Sequence, residues 1–323
     1  MRNPFAGIFS LFRHTRGDAA LGVDFGASAL KVVQIKKKEG QAVLETYGSV
    51  ALGPYAAKGA GKAVRLPNEK LAEALTDVIR EAKVTAKECV VAVPMSAALV
   101  AAISVPTPRA PNTDVGTLIR LEARKFVPVP LSEVELEWTI LSTEGEKTRA
   151  LITAIHRDAL ERVRTVVASA GLSLVAYETE VFSLARAITT TPDEMIGIVD
   201  IGAASVSICI SAGGRVVDAH TFPDGAQNAG GATLERALSE TKEVFRHFET
   251  ERSTPVARVV LVGGGALRPE LRAQAEGALG VSVSLADPFA ALAAPAFLSS
   301  LLREAGPEFA VSTGAARRGL DGK

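Results

Sequence analysis

The chain has 323 residues, 47% of them hydrophobic and 22% charged, with 36 Lys+Arg against 36 Asp+Glu. That length and mix specify a globular protein of about two domains with ample core-forming material. A net charge of zero excludes a global attraction to nucleic acid, so any electrostatic site must be local.

In chain order, the first feature is the segment 1–18. Phe5, Ile8, Phe9 and Phe12 fall at i, i+3, i+4 and i+7, one face of a helix, with Arg2, Arg13 and Arg16 around it and no acid before Asp18. Two readings stand: a basic amphipathic helix touching a membrane surface or a partner, or a helix packed on its own domain or frayed. No apolar run approaches the roughly 20 residues that span a bilayer.

"ALGVDFG" and "ALKVVQIK" predict two strands around a tight glycine turn, and "GQAVLETYGSVAL" a third. Residues 53–67 predict a loop, followed by a helix over 68–83 that Asn68 caps. "CVVAVP" and "ALVAAISVP" predict strands; 113–126 predicts a helix stopped by Pro128 and Pro130. "EVELEWTIL" alternates acids with Val134, Leu136, Trp138 and Ile140, a half-buried strand. A strand over 148–156, a helix over 157–171, a strand over 172–180 and a short helix over 181–188 follow.

The second half repeats the logic. "IGIVDIG" predicts a strand, and 205–219 a hairpin turning at Gly213 and Gly214. A helix is expected over 232–251, then a buried strand "ARVVLVGGGA", a helix over 268–279, a strand "VSVSLADP" and a closing helix over 308–320. Cys89 and Cys209 sit in apolar strand-like runs without a CxxC partner and read as buried free thiols. The four His residues show no ligand spacing. GxSxG, HExxH and GxxxxGK[ST] are absent.

The one internal repeat is "VDFGASALKVV" at 23–33 and "VDIGAASVSIC" at 199–209. A strand ending in Asp-x-Gly and returning as a hairpin points backbone N–H groups inward and lets an anion approach closely. Two facing hairpins can grip nucleotide phosphates, with Asp24 and Asp200 holding Mg²⁺ through water. The candidate phosphate contacts are Gly26, Ala27, Ser28 and Lys31 on the first hairpin and Gly202, Ala203 and Ala204 on the second. Gly263, Gly264 and Gly265, between a strand and a helix, suit the nucleoside end. Two structural turns without a ligand remain the alternative.

Two Asp-x-Gly hairpins and a strand–GGG–helix in this order resemble the actin-like ATPase fold of actin, sugar kinases, heat-shock chaperones and FtsA. The middle of the chain narrows the resemblance. "CVVAVPMSAALVAAISVP", then "LIRLEARKFVPVPLSEVELEWTIL" with Glu122, Ala123, Phe126, Pro128, Leu131, Glu133 and Val134, and the closing "FAVSTGAARRGL" resemble the PilM family of type IV pilus proteins. The resemblance runs over about residues 19–320. It implies an α/β fold of the actin-like, duplicated ribonuclease-H-like kind, two lobes with a small inserted α+β domain. The first lobe would span 19–87, completed by 180–195 and 308–320; the insert, 88–179; the second lobe, 196–307.

The resemblance further implies a cytoplasmic scaffold, peripheral at the inner membrane. It would bind the N-terminal tail of a PilN-like membrane protein, with a PilN/PilO complex, the pilus motor ATPase and self-association as further partners, and no nucleic acid. It also implies ATP and Mg as cofactors of some relatives. Two departures weigh against them here. The loops carry Ala27, Ala203 and Ala204 where hydroxyl residues are usual, and only 38 residues, Thr221–Arg258, fill the place of an outer subdomain. Nucleotide binding is therefore expected to be weak or lost, with no catalytic residue assigned. The alternatives are an actin-fold ATPase or small-molecule kinase using Mg-ATP, and a type II secretion component of GspL type.

Overall fold

The structure, a computed structural model, describes residues 18–108, 114–188, 191, 194–223, 225 and 231–321. The N-terminal face of Phe5, Ile8, Phe9 and Phe12 lies outside the described residues.

Two five-stranded sheets share one topology. The first is ordered β3-β2-β1-β4-β8, from β1 (Ala19–Phe25), β2 (Ala29–Lys38), β3 (Gln41–Ala51), β4 (Glu88–Val93) and β8 (Ser173–Thr179). The second is ordered β11-β10-β9-β12-β13, from β9 (Met195–Ile201), β10 (Val206–Ala212), β11 (Arg215–Phe222), β12 (Arg258–Val262) and β13 (Ser282–Leu285). The duplication extends to register. Asp24 pairs with Lys31 across β1–β2 and Asp200 with Ser207 across β9–β10, seven residues on in each case. On the parallel side Asp24 meets Ala92 and Asp200 meets Val262.

The side-chain period of two then divides the faces. Leu21 and Val23 pack with α1 (Asn68–Glu81) and α3 (Arg157–Ser169), whose apolar stripes include Leu71, Leu75, Val78 and Leu160, Val163, Val167. Val199 and Ile201 pack with α5 (Gly231–Arg252) and α6 (Leu271–Leu279). The opposite faces look at each other across a shared layer, α4 (Glu180–Ala187) and α7 (Ser299–Asp321). There Val90, Ala92, Leu184, Ile196, Ile198, Ala310 and Ala315 form one core. Ala20 and Ala316 meet in an adjoining core on this same layer. α7 lies against β1 so closely that a Cβ on Gly22 would stand 2.0 Å from the Ser312 carbonyl oxygen.

A third sheet, β5-β7-β6, is built from β5 (Ala98–Pro106), β6 (Val134–Glu144) and β7 (Lys147–His156). α2 (Val115–Ala123) covers one face through Ile119 and Ala123 against Ile103, Ala150 and Ile152. Arg120 stacks 4.7 Å over Trp138. Tyr177 on β8 donates a 2.6 Å hydrogen bond to Glu135 on β6, tying this sheet to the first.

Four local expectations are corrected. Asn68 is the first helical residue of α1, not its cap; Pro67 takes the cap position without a side-chain hydrogen bond, since proline sets the chain's entry angle and leaves Asn68 inside the first turn. The helix expected over 113–126 runs only from Val115 to Ala123, with Asp114 as its cap, accepting from the Gly116 and Thr117 amides. The helix expected from Arg268 starts at Leu271, because a short 3₁₀ turn, Gly264–Leu267, and a left-handed Glu270 intervene. The closing helix starts nine residues earlier than the expected 308, running from Ser299 through Pro307. The Pro307 carbonyl accepts from the Gly263 amide at 2.8 Å, which ties this helix to the end of β12. Cys89 and Cys209 are buried free thiols, and burial pushes the Cys89 thiol up to about 12.

Candidate functional site

A cavity of about 1880 Å³ opens between the two sheets and runs on beneath the inserted sheet. Asp24, Gly26, Ala27, Ser28 and Lys31 line it from the first hairpin; Asp200, Gly202, Ala203 and Ala204 from the second; Gly263, Gly264 and Gly265 from the end of β12. All twelve residues singled out in the sequence therefore face one space. They come together because each hairpin sits at the same end of its sheet. β4, β8 and β12 run parallel to their neighbours and also end there.

The glycines explain the closeness of the floor. A Cβ on Gly263, whose φ is +84°, would lie 2.2 Å from an Asp200 carboxylate oxygen. One on Gly265 would strike the Ile201 carbonyl oxygen at 2.7 Å. The second hairpin is backed by Gly225, where a Cβ would meet the Ala203 and Ala204 backbone at 2.4 Å.

The electrostatics are dominated by carboxylates. Burial raises the Asp24 carboxyl, and Lys31, 3.7 Å away, works against that rise. Asp200 is pushed up to about 6, first by burial and then by the nearby Asp24 charge. A third acid, not singled out in the sequence, joins them. Glu180, the first residue of α4, is pushed up to about 8 by burial and by repulsion from Asp200. It accepts from the Ser207 hydroxyl at 2.8 Å. Its signal was an acid at the C-terminal end of a buried parallel strand, the edge where α/β sheets gather their ligands. Among the described residues no three His, Cys, Asp or Glu side chains stand close enough together to hold an ion directly.

Two positions earlier the opposite environment prevails. Glu178 is fully buried, and burial alone would raise it; Arg186, 2.6 Å away, and Arg318 outweigh that and hold it near 2. Ser183 adds a 2.6 Å hydrogen bond.

The same cavity extends into a groove between the first sheet's helices and the inserted sheet. Leu66, Arg162 and Val163 line one side, and Leu99, Phe126 and His156 the other. Phe126 is 43% exposed. The Arg162 guanidinium donates to the Leu66 carbonyl oxygen at 2.5 Å. Between β11 and β12, α5 is the single helix among the described residues, and its His247 and Glu251 reach the cavity.

No helix among the described residues is long and apolar enough to cross a membrane. Comparison with solved structures shows the fold. The chain is similar to the "PilM-PilN type IV pilus biogenesis complex", with 24% identity over 93% of this chain and 98% of that chain at a TM-score of 0.79. It is also similar to the ethanolamine utilization protein EutJ from Carboxydothermus hydrogenoformans, with 14% identity over 96% and 92% of the two chains at a TM-score of 0.53. The architecture is thus the two-lobe actin-like α/β fold, with the paired sheets as the lobes. The family described as "Type IV pilus assembly protein PilM" matches residues 22–244. With well over half of its length matched, and the twinned hairpins and the third sheet within or beside that span, the chain belongs to the PilM family of type IV pilus assembly proteins.

Proposed function

We propose that this protein is a cytoplasmic scaffold at the inner face of a type IV pilus assembly platform, and that it holds the N-terminal tail of a PilN-like membrane protein. The inserted domain and the first lobe would supply the binding surface; the insert is narrower than the expected 88–179, since β4, α3 and β8 belong to the first sheet and its cover, which leaves the β5-β7-β6 sheet with α2, within 98–156. The observation that carries this reading is the groove between Leu66, Arg162 and Val163 on one side and Leu99, Phe126 and His156 on the other. It offers an apolar strip with an exposed aromatic ring and polar groups at its edge, which suits a short extended peptide. The solved complex to which the fold is similar contains both a PilM and a PilN.

The test is a titration with a synthetic peptide of a PilN-like N-terminal tail. Saturable binding that Phe126→Ala weakens about tenfold, the scale of one anchoring aromatic, is expected. Binding that Phe126→Ala and Leu66→Ala leave unchanged would remove the tail from this groove.

The paired hairpins support a second, weaker activity. Three acids, Asp24, Asp200 and Glu180, share the cleft with Lys31, so a cation held through water between the Asp residues would relieve their repulsion. The donor set suits a magnesium–nucleotide whose phosphates rest on backbone amides. In the two turns themselves the side-chain hydroxyls are Ser28 and Ser205. Ala27, Ala203 and Ala204 and the single helix α5 favour weak retention rather than turnover. A calorimetric titration with Mg-ATP, repeated on Asp24→Ala, separates the cases. Sub-micromolar affinity in the wild type, lost in Asp24→Ala, would overturn the weak-binding reading and point to a nucleotide-gated platform.

A further inference from the structure

The strip 288–302 holds no charged residue. It lies against β3, the edge strand of the first sheet. The Ala293 amide donates to the Ala42 carbonyl at 2.8 Å, and the Leu44 amide to the Ala293 carbonyl at 3.0 Å. The apolar side chains of the strip divide into two sets. Phe289, Leu292 and Leu302 are buried with Val33, Ile35 and Phe309, and they seat the strip on the lobe. Pro295, Phe297 and Leu301 are exposed. Phe297, carried on the 3₁₀ turn Ala296–Leu298, is 84% exposed and Leu301 is 51% exposed. A scattered surface leucine needs no explanation. An aromatic ring and a leucine together in an uncharged strip, whose inner set is already seated, do.

A run of bases lies across β3 from this strip. Lys36 and Lys37 pair with Val43 and Ala42, the same stretch of β3 that Ala293 bonds, and Lys36, Lys37 and Lys38 are all exposed. Lys36 has Glu45 at 3.9 Å; Lys37 and Lys38 have no carboxylate partner among the described residues. Glu39 and Glu304 are the exposed acids of these two segments. The Lys37 amide donates to the Asp18 carbonyl at 2.8 Å, so residues 1–17 join the fold beside the lysines. Those residues, outside the described ones, bring Arg2, Arg13 and Arg16, the apolar set Phe5, Ile8, Phe9 and Phe12, and no acid. Bases on the lobe and bases on the segment beside it repel each other. Neither neutralises the other, and an anionic body complements both.

We propose that this flank of the first lobe is a lipid-facing surface that rests on an anionic bilayer. Phe297 and Leu301 would enter the headgroup region, Lys36, Lys37 and Lys38 would meet the lipid phosphates, and the segment 1–17 would add its arginines and its apolar set to the same contact. The pairing of the two signals is the physical basis. A short apolar anchor alone binds a membrane marginally, and bases alone bind it loosely; stable attachment takes both. Each base near an anionic surface tightens binding about fivefold. This goes beyond the platform reading, because the lobe touches lipid directly rather than through a partner's tail. No tail enters the test, so the two readings can fail separately.

The experiment is co-sedimentation of the full chain with vesicles, one set of phosphatidylglycerol and phosphatidylethanolamine, the other of phosphatidylcholine alone. Saturable binding to the first set is expected, about tenfold or more tighter than to the second and falling as salt rises. Phe297→Ser with Leu301→Ser should weaken it about tenfold. Both side chains are exposed, so Tm should stay within about 2 °C of wild type. Lys37→Gln with Lys38→Gln should weaken binding about tenfold and flatten its salt dependence. Phe9→Ser with Phe12→Ser should weaken it as well. The proposal is overturned if the wild type does not sediment with the anionic vesicles, or binds both sets equally. It is equally overturned if Phe297→Ser with Leu301→Ser binds like the wild type. In that case a Tm lowered by several degrees would assign the patch to a segment of the same chain, and loss of a wild-type dimer on gel filtration would assign it to a second copy.

Discussion

Glu178→Gln is the most direct probe of what joins the two lobes' shared layer. The substitution keeps the shape of the side chain and removes its charge. Glu178 is fully buried, with Arg186 at 2.6 Å, Arg318 in contact and Ser183 at 2.6 Å. Losing the charge strands two guanidinium groups, one of them 4% exposed. Breaking one partner of a buried ion pair costs about 3–5 kcal/mol. At about 2.1 cal/mol/K per residue, a 323-residue chain loses about 1.5 °C of Tm per kcal/mol, so the expected drop is about 4–8 °C. The pH dependence supplies an independent check. The folded value near 2 lies below the ordinary 4.5, so this stabilisation is complete above about pH 4.5 and fades as pH falls toward 2. Calorimetric melts of wild type and Glu178→Gln should therefore differ most at neutral pH and converge below pH 4.5. A drop under 1 °C at pH 7, or a gap that widens on acidification, would refute the account of this triad.

The cleft acids predict the opposite trend for the ligand-free protein. Asp200 near 6 and Glu180 near 8 are both raised above their unfolded values of 3.8 and 4.5. Their stabilisation is complete below those unfolded values and is lost as pH rises through about 6 and about 8. Tm should thus climb as pH is lowered from 9 to 6, and Glu180→Gln should flatten the upper part of that climb; a flat wild-type profile would contradict it. Glycine substitutions should split by site. Gly22→Ala drives a Cβ to 2.0 Å from Ser312 oxygen and 2.4 Å from Ala316 nitrogen, backbone atoms that cannot rotate away, and should cost about 1–3 kcal/mol or more. Gly277→Ala, in α6 with open space around it, should instead gain about 0.5–1 kcal/mol, and urea melts of the pair read both signs.

The twinned lobes were legible because two short strings carry both the strand and the turn. A short apolar run marks β1 and β9 as strands buried on both faces, and Asp-x-Gly fixes where each hairpin closes. Their equivalent register, Asp24 with Lys31 and Asp200 with Ser207, follows from the equal spacing. Glu180 was not legible. "YETE" places two acids two residues apart, and nothing local says that Glu178 will meet two arginines, one of them 140 residues later, while Glu180 faces two aspartates. Opposite pKa shifts arise from partners that only the tertiary fold delivers. The first turn of α7 was hidden for a related reason. Pro307 ordinarily ends or kinks a helix, and here the helix runs through it while packed in the layer between the two sheets, a context that only the tertiary fold supplies. Asn68 misled because a favourable capping residue is overruled by the proline before it.

The seating of α7 on β1 also sets the order in which the molecule can be made. Ala20, Gly22 and Val33 emerge early from the ribosome, yet the residues that cover them, 312–316, are translated some 290 residues later. At about 5–20 residues per second that interval is about 15–60 s. Once α3 and β8 have been made, the first lobe has its α1–α3 side complete while the inner side of its sheet stays bare until α7 arrives. The first lobe thus closes last, when the end of the chain returns to its beginning.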